Sequence, residues 1–548
     1  MENNERTPLL IPVGAAAVDA SAAVPGDLSK TRFRLLMAGL WTMTFVAALD
    51  GTIVATLVSS IGSSFSAMES AGWIGTSYLL ASCCFTPLYG RLCDIFGRKG
   101  SIVLAGSLFA SGTLLCGLAA NMKQLIVFRF LAGMGGGGFA VVGSVIVSDI
   151  IPLKQRGLYQ GYTNLLFGLG GALGAPLGGF ISDTIGWRAA FLGQMPLLIS
   201  AVSVIFFNTK EPASYLSNKT STAEKLKKID YLGSFTLVTS VGSLCLALSL
   251  KTKGLAKWSD GSIWGMLLTS AVSMVAFVLV EWKFAVQPVL PMGLLGQRTA
   301  LFSLITNFLL AVVTFSILYN IPLFFTAVRL TSNAAAGAHL ITNSASVCFG
   351  SLGAGWYMRH TGKYWKLQLI AALGPLFSTI VLATVWDYNT PEWILNTTLI
   401  PAGLGFSCVI TTTLLALISS VERENIPVAT GMSYLSRTTG QVIGVSLSAT
   451  ASQAILEKSL RSKITGEGST QIINDILHSI DYIRELPAEL QQMATDSWAT
   501  SLRYIFVSQA ILSFILLVCL LPIREHPLPD SVDNSTPTQP STPVEERA

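Results

Sequence analysis

Charge is what this sequence has least of. Only 12% of its 548 residues are Asp, Glu, Lys or Arg, roughly half the share of an ordinary soluble domain. Histidine is scarcer still: His339, His360, His478 and His526 lie far apart and offer no metal-ligating spacing. The eight cysteines, Cys83, Cys84, Cys93, Cys116, Cys245, Cys348, Cys408 and Cys519, form no C-x-x-C pair and fall almost wholly in apolar runs. We expect them to be small packing residues rather than disulfides or metal ligands. No G-x-x-x-x-G-K-[ST] loop is present, which excludes a nucleotide-driven pump, and no Ser/His/Asp arrangement points to an enzyme. Net charge is only +5 and the basic residues are scattered, so nucleic acid is not an expected partner. No short apolar run with a cleavage site opens the chain. A cleavable signal is therefore not expected, and the first long apolar run would serve for insertion.

What is present is apolar. Hydrophobic residues make up 51% of the chain and the mean hydropathy is +0.59. Surface-to-volume scaling leaves no soluble fold able to hide that much apolar surface. Long apolar runs fall near residues 35–58, 71–90, 101–120, 124–148, 158–180, 188–208, 231–250, 262–281, 301–326, 335–357, 367–386, 394–418, 428–452 and 504–523. Each approaches the ~20 residues that cross a bilayer core. Lipid cannot satisfy backbone polar groups, so each is expected to be a helix. The fold class is then an all-α membrane protein of about fourteen transmembrane helices, with the lipid bilayer as its solvent.

The boundaries read as follows. A polar tail covers 1–32, a six-helix bundle 33–208 and a charged linker 209–230. Two extra spanning helices cover 231–298, and a second six-helix bundle covers 299–524 with a long loop at 455–502. A Pro/Ser/Thr-rich tail covers 525–548. Both tails read as disordered by composition. Within the long loop, Ile472, Ile473, Ile476, Leu477 and Ile480 have the spacing of an amphipathic surface helix. Loops holding Arg91, Arg98, Lys99, Lys154, Arg156, Lys210, Arg359 and Lys363 outweigh those opposite, which hold Lys123, Lys251, Lys253, Lys257 and Arg329. The positive-inside rule then puts both termini in the cytosol.

Two halves are related by an internal repeat. Gly90, Asp94, Gly97 and Arg98 stand at offsets 0, 4, 7 and 8; Gly355, Arg359, Gly362 and Lys363 repeat them with Asp replaced by Arg. Each set joins the second and third helices of its bundle, and such repeats mark secondary transporters.

The segment Gly90-Arg-Leu-Cys-Asp94-Ile-Phe-Gly97-Arg98-Lys99 resembles the cytoplasmic loop motif of the major facilitator superfamily. Other stretches fit in order. Leu49-Asp50-Gly-Thr52-Ile53-Val54 resembles the first-helix motif of drug/proton antiporters, and Leu125 to Arg129 with Gly133 and Gly135 the fourth-helix motif. The run Gly170, Gly174, Pro176, Gly178, Gly179 resembles the fifth-helix antiporter motif, except that Ala175 takes the usual proline position and Pro176 follows it. Ala429-Thr-Gly431 with Arg437-Thr-Thr-Gly440-Gln441 is also family-like. The resemblance spans about residues 33–523 and points to the fourteen-span drug/proton antiporter branch. It implies the major facilitator fold, a proton gradient as driving force with no cofactor, and alternating access by rocking of the two halves.

The charges inside the apolar runs are the candidate site. Asp50 lies well into the first run, where a carboxylate is costly and faces either a partner or a wet cavity. It reads as a proton-coupling or cation-binding group, or else as a buried structural pair. Arg129 takes a proton-coupling role by the resemblance; a snorkelling interfacial arginine is the plain alternative. Arg437 sits within a late spanning helix with no partner identifiable from sequence. The resemblance also pairs Asp149 with Arg98 as a gate that involves Gly90, Asp94, Gly97 and Lys99. The run Gly133–Gly138 reads as helix packing rather than a phosphate cradle.

Glu5-Arg-Thr-Pro-Leu9-Leu10 matches an acidic dileucine sorting signal, readable by a sorting adaptor in a flexible tail. Together these features resemble the fungal vacuolar transporters of basic amino acids. They imply a proton-coupled antiporter that carries lysine, arginine or histidine from cytosol to vacuole, with Asp50 as an anionic contact for the substrate. A plasma-membrane multidrug/proton antiporter is the alternative.

Overall fold

The computed structural model describes residues 29–210, 230–252, 260–283, 292–331, 333–465, 469–478 and 481–528. Eleven helices among these are long and apolar enough to cross a membrane. In chain order the main helices are α1 (Lys30–Ser64), α2 (Trp73–Gly117), α3 (Met122–Ile150), α4 (Leu153–Thr184), α5 (Met195–Asn208, preceded by a turn at Trp187–Leu192), α6 (Tyr231–Thr252) and α7 (Gly261–Lys283). Then follow α8 (Arg298–Leu323), α9 (Asn333–Thr361), α10 (Trp365–Thr384), α11 (Glu392–Ser420), α12 (Ile426–Lys463), α13 (Ser469–His478) and α14 (Ala488–Leu520).

The expected count of about fourteen spans exceeds these eleven. α2 runs through Gly97, which adopts φ +78° and ψ 175° and breaks it into two helical limbs joined at a turn. α9 and α12 fall outside the eleven, yet pack among them.

Local chemistry sets several boundaries. Ser29 Oγ accepts from the Arg32 amide at 3.3 Å, so α1 begins at Lys30, inside the segment assigned by composition to a disordered tail. Asn121 Oδ1 accepts from the Gln124 amide at 2.9 Å and opens α3. Gly186, at φ +102°, turns the chain after α4.

In the first half α1 packs on α4 and α5, and α3 lies in the fold of α2. In the second, α8 packs on α12 and α9 on α11, which is also covered by α10. The extra pair α6–α7 lies beside the seam, because α6 touches both α2 and α12. The glycine run of α3 is a packing surface. A Cβ on Gly133 or Gly136 would strike Tyr78, one on Gly135 would strike Ala105 and Phe109, and one on Gly138 would strike Tyr89. The described cysteines are all free, and most are buried.

The two halves meet at the end that carries the Gly90–Lys99 segment. A Cβ on Gly90 would lie 2.9 Å from Pro427 O, and one on Gly355 would lie 2.5 Å from Leu158 Cα. Asn164 Nδ2 donates to Ser351 Oγ at 2.7 Å. Farther along α4, Leu173, Leu177 and Phe180 are exposed, which marks where that helix leaves the contact.

Two segments read as loop or tail are structured. Much of 455–502 is helix: α12 continues to Lys463, and α14 begins at Ala488. α13 occupies the amphipathic stretch, but its apolar face packs on the protein, with Ile473 and Ile476 buried beside Phe324, Phe325 and Trp386. Residues 525–528 fold back on the turn between α9 and α10. The Tyr364 amide donates to Glu525 Oε1 at 2.9 Å, the Tyr364 hydroxyl to the Arg524 carbonyl at 2.9 Å, and Leu528 is buried.

Candidate functional site

The first half is built around one ion pair. α1 and α3 bring Asp50 and Arg129 together, with Arg129 Nη1 donating to Asp50 Oδ2 at 2.7 Å. Both side chains are sealed, at 0% and 1% exposure. The guanidinium also donates through Nε to the Ile74 carbonyl at 3.4 Å, and it lies 4.5 Å from the centroid of the Tyr78 ring. The interfacial reading of Arg129 is therefore set aside: a snorkelling side chain would reach water, and this one does not. Asp50 is not a helix cap, since α1 continues for a further fourteen residues to Ser64. Its second oxygen, Oδ1, is buried without a hydrogen-bond partner among the described residues.

The glycines of α4 press on the turn of α1 that carries Asp50. A Cβ on Gly170 would strike Phe45 O, one on Gly174 would meet Leu49 O at 2.5 Å and collide with Thr52, and one on Gly178 would meet Thr56 Oγ1 at 2.6 Å. Spaced by four, these positions form one small-residue stripe that lets two backbones approach. Gly179 lies off the stripe, with open space where a Cβ would be, and Pro176 is exposed.

At the turn of α2, Arg98 Nε donates to Asp149 Oδ2 at 2.8 Å and Nη1 to the Cys93 carbonyl at 3.2 Å. Asp94 pairs with Arg91 at 3.2 Å and with Arg98 at 3.8 Å. Lys99 Nζ lies 4.0 Å over the Phe206 ring. The repeat in the second half keeps the positive φ at its glycine and reverses one charge: Gly362 has φ +66°, as Gly97 has φ +78°, but Arg359 replaces Asp94 and is exposed. There the tail contacts to Tyr364 hold the turn instead.

The second half has its own polar centre. From α12, Arg437 donates through Nε to Asn307 Oδ1 at 3.4 Å and through Nη2 to the Ile410 carbonyl at 3.1 Å. Asn307, on α8, also accepts from Thr413 Oγ1 at 3.1 Å and donates to Ser433 Oγ at 3.3 Å. Tyr434 lies 4.9 Å from the guanidinium. Sequence reasoning missed Tyr78 and Asn307. An aromatic residue in an apolar run carries no signal, whereas an asparagine between Leu304 and Leu310 was a legible polar interruption. No metal-holding cluster occurs among the described residues. Glu5, Leu9 and Leu10 lie outside them.

Comparison with known proteins follows the same lines. The family model described as Major Facilitator Superfamily matches residues 40–445. The chain is 39% identical over 513 residues to "Multidrug resistance protein fnx1" of Schizosaccharomyces pombe, covering 93% of this chain and 96% of that protein. It is 33% identical to "Vacuolar membrane amino acid uptake transporter fnx2" of the same yeast, covering 92% and 87%. It is 32% identical to "Vacuolar basic amino acid transporter 2" of Saccharomyces cerevisiae, covering 83% and 98%. Among solved structures, the human organic anion transporter MFSD10 superposes with a TM-score of 0.58 at 13% identity, over 89% of this chain and 99% of that one, a likeness of fold.

Proposed function

The chain belongs to the major facilitator superfamily, and from that premise we propose that it is a proton-coupled antiporter moving amino acids, basic ones foremost, from the cytosol into the vacuole. The observation that carries the reading is the sealed Asp50–Arg129 pair. A carboxylate and a guanidinium buried in a spanning bundle are costly to keep and are held where ions or solutes are handled. Ionised, Asp50 neutralises Arg129. A proton taken up by Asp50 would remove that neutralisation and leave a buried cation that must find another partner, which biases the bundle toward a different arrangement.

The two halves supply the arrangement. They are in contact at the Gly90–Lys99 end, which on our reading faces the cytosol, so this conformation would be the one closed to the cytosol. Asp50 and Arg129 are sealed in this state, so protons from an acidic lumen would reach the pair only through a rearrangement that opens it on that side, by which substrate would also leave. Return to the cytosol-open state requires parting Gly90 from Pro427 and Gly157 from Gly355. The dileucine segment Glu5–Leu10 would direct the protein to the vacuole through a sorting adaptor.

A multidrug/proton antiporter at the plasma membrane is the second reading, favoured by the 39%-identical relative named for multidrug resistance. The deciding experiment is uptake of labelled lysine, arginine and histidine into isolated vacuolar vesicles with and without a protonophore. Protonophore-sensitive uptake supports amino-acid antiport. Insensitive uptake rejects the coupling, and absent uptake with a plasma-membrane signal from the tagged chain favours the second reading.

A further inference from the structure

Two arginines sit deep within the spanning helices, and only one has a counter-ion. Arg129 is neutralised by Asp50. Arg437 is held by groups that are all neutral: the Asn307 amide oxygen, the Ile410 carbonyl and the Tyr434 ring. No carboxylate among the described residues pairs with it. A guanidinium out of bulk water needs a compensating negative charge, and neutral acceptors make up only part of that need.

Arg437 comes from α12, Asn307 from α8 and Ile410 from α11, so three helices of the second half converge on one cation. α12 also meets the first half: it packs on α2 and α3, its Tyr434 touches the core of that half, and Cys83 Sγ approaches Thr439 Oγ1 to 3.8 Å. The side chain is partly exposed, unlike sealed Arg129. Asn307 is fixed by Thr413 and Ser433, and in turn it orients the guanidinium.

We infer that Arg437, positioned by Asn307, binds the carboxylate of the transported solute, so that the site selects organic acids and amino acids over amines and amides of the same shape. This rests on the transport reading above and adds to it which end of the substrate is recognised and where. A guanidinium holds a carboxylate in a charge-assisted, often bidentate hydrogen bond. Such a bond with an amide in its place would leave the arginine's charge uncompensated.

The test uses the purified full-length chain in detergent, with thermal unfolding followed against lysine, lysinamide, benzoate and benzamide. At least one acid should bind about tenfold or more tightly than its amide, the equivalent of ~1.4 kcal/mol. Arg437→Gln should abolish that preference. Asn307→Asp should abolish it as well, because it builds a carboxylate against the guanidinium, and it serves if the first variant does not fold. An acid preference below about tenfold in both pairs overturns the inference, as does one that survives either folded variant. If the benzoate pair alone behaves as expected, the anchor stands and the amino-acid reading falls. If lysine is preferred but vesicle uptake ignores the protonophore, the anchor stands and the proton coupling falls.

Discussion

Asp50 uses one oxygen and not the other: Oδ2 accepts from Arg129 at 2.7 Å, while Oδ1, equally buried, has no partner among the described residues. The carboxylate thus keeps a free acceptor where a proton could sit without first breaking the bond to Arg129. A pair that served only to hold α1 on α3 would gain from a second donor at that oxygen.

Removing one member should cost more than removing both. Asp50→Ala leaves Arg129 buried and uncompensated, a loss of about 3–5 kcal/mol. The double variant Asp50→Ala/Arg129→Leu should recover much of that. Thermal midpoints of detergent-purified protein, taken as a double-mutant cycle, read the coupling. Asp50→Asn should stay in the membrane and abolish proton-driven uptake; normal uptake by this variant would remove Asp50 from the coupling.

The stripe on α4 should be sensitive by position. Gly174→Ala drives a methyl into Leu49 O and Thr52, an overpacking on the order of 1–3 kcal/mol next to Asp50. Uptake should fall. Gly179→Ala, with open space around it, should transport like the parent. Equal rates for the two variants would detach the stripe from function.

Closure between the halves can be read by cross-linking. Cysteines at Asn164 and Ser351, whose side chains are in hydrogen-bond contact, should cross-link readily. Gly90→Leu forces a side chain against Pro427 O and should lower that yield. Asp149→Asn should lower it less, because the Arg98–Asp149 pair joins α2 to α3 within the first half and does not itself cross the contact.

The C-terminal segment should loosen in acid. Burial, and secondarily Arg524, holds His526 below its ordinary value of 6.5. The docked state therefore favours the neutral ring. Its stability is full above about pH 6.5 and falls as pH drops below that, because the undocked chain binds the proton more readily. Glu525, at the Tyr364 amide, is the nearby acid. Limited proteolysis after Arg524 across pH 5–8 would show cleavage rising toward the acid end, and His526→Gln should flatten the profile.

Most helices were legible as apolar runs because lipid imposes length and hydropathy on whatever faces it. α9 and α12 carry Asn343, Ser346, Ser351, Thr430, Ser446 and Ser448 in buried positions, where protein rather than lipid surrounds them, and this makes their runs the least apolar. The ends of α12 and α14 leave the membrane as polar helices, which composition does not distinguish from loop; hence the long loop expected at 455–502. The pairing of Asp50 with Arg129 was not deducible because it joins helices 79 residues apart. The partners of Arg437 were hidden for a different reason: one is a backbone carbonyl, which every residue has.

The turns at Gly97 and Gly362 share a left-handed backbone, while the acidic residue that serves the first has become a basic one in the second. A side chain at either glycine would cost about 1–2 kcal/mol. The direction in which each hairpin doubles back is thus written into two missing methyl groups, and the electrostatics around them were free to diverge. One hairpin is fastened by salt links and its twin by a strap from the end of the chain, so ionic strength should loosen the first and leave the second in place.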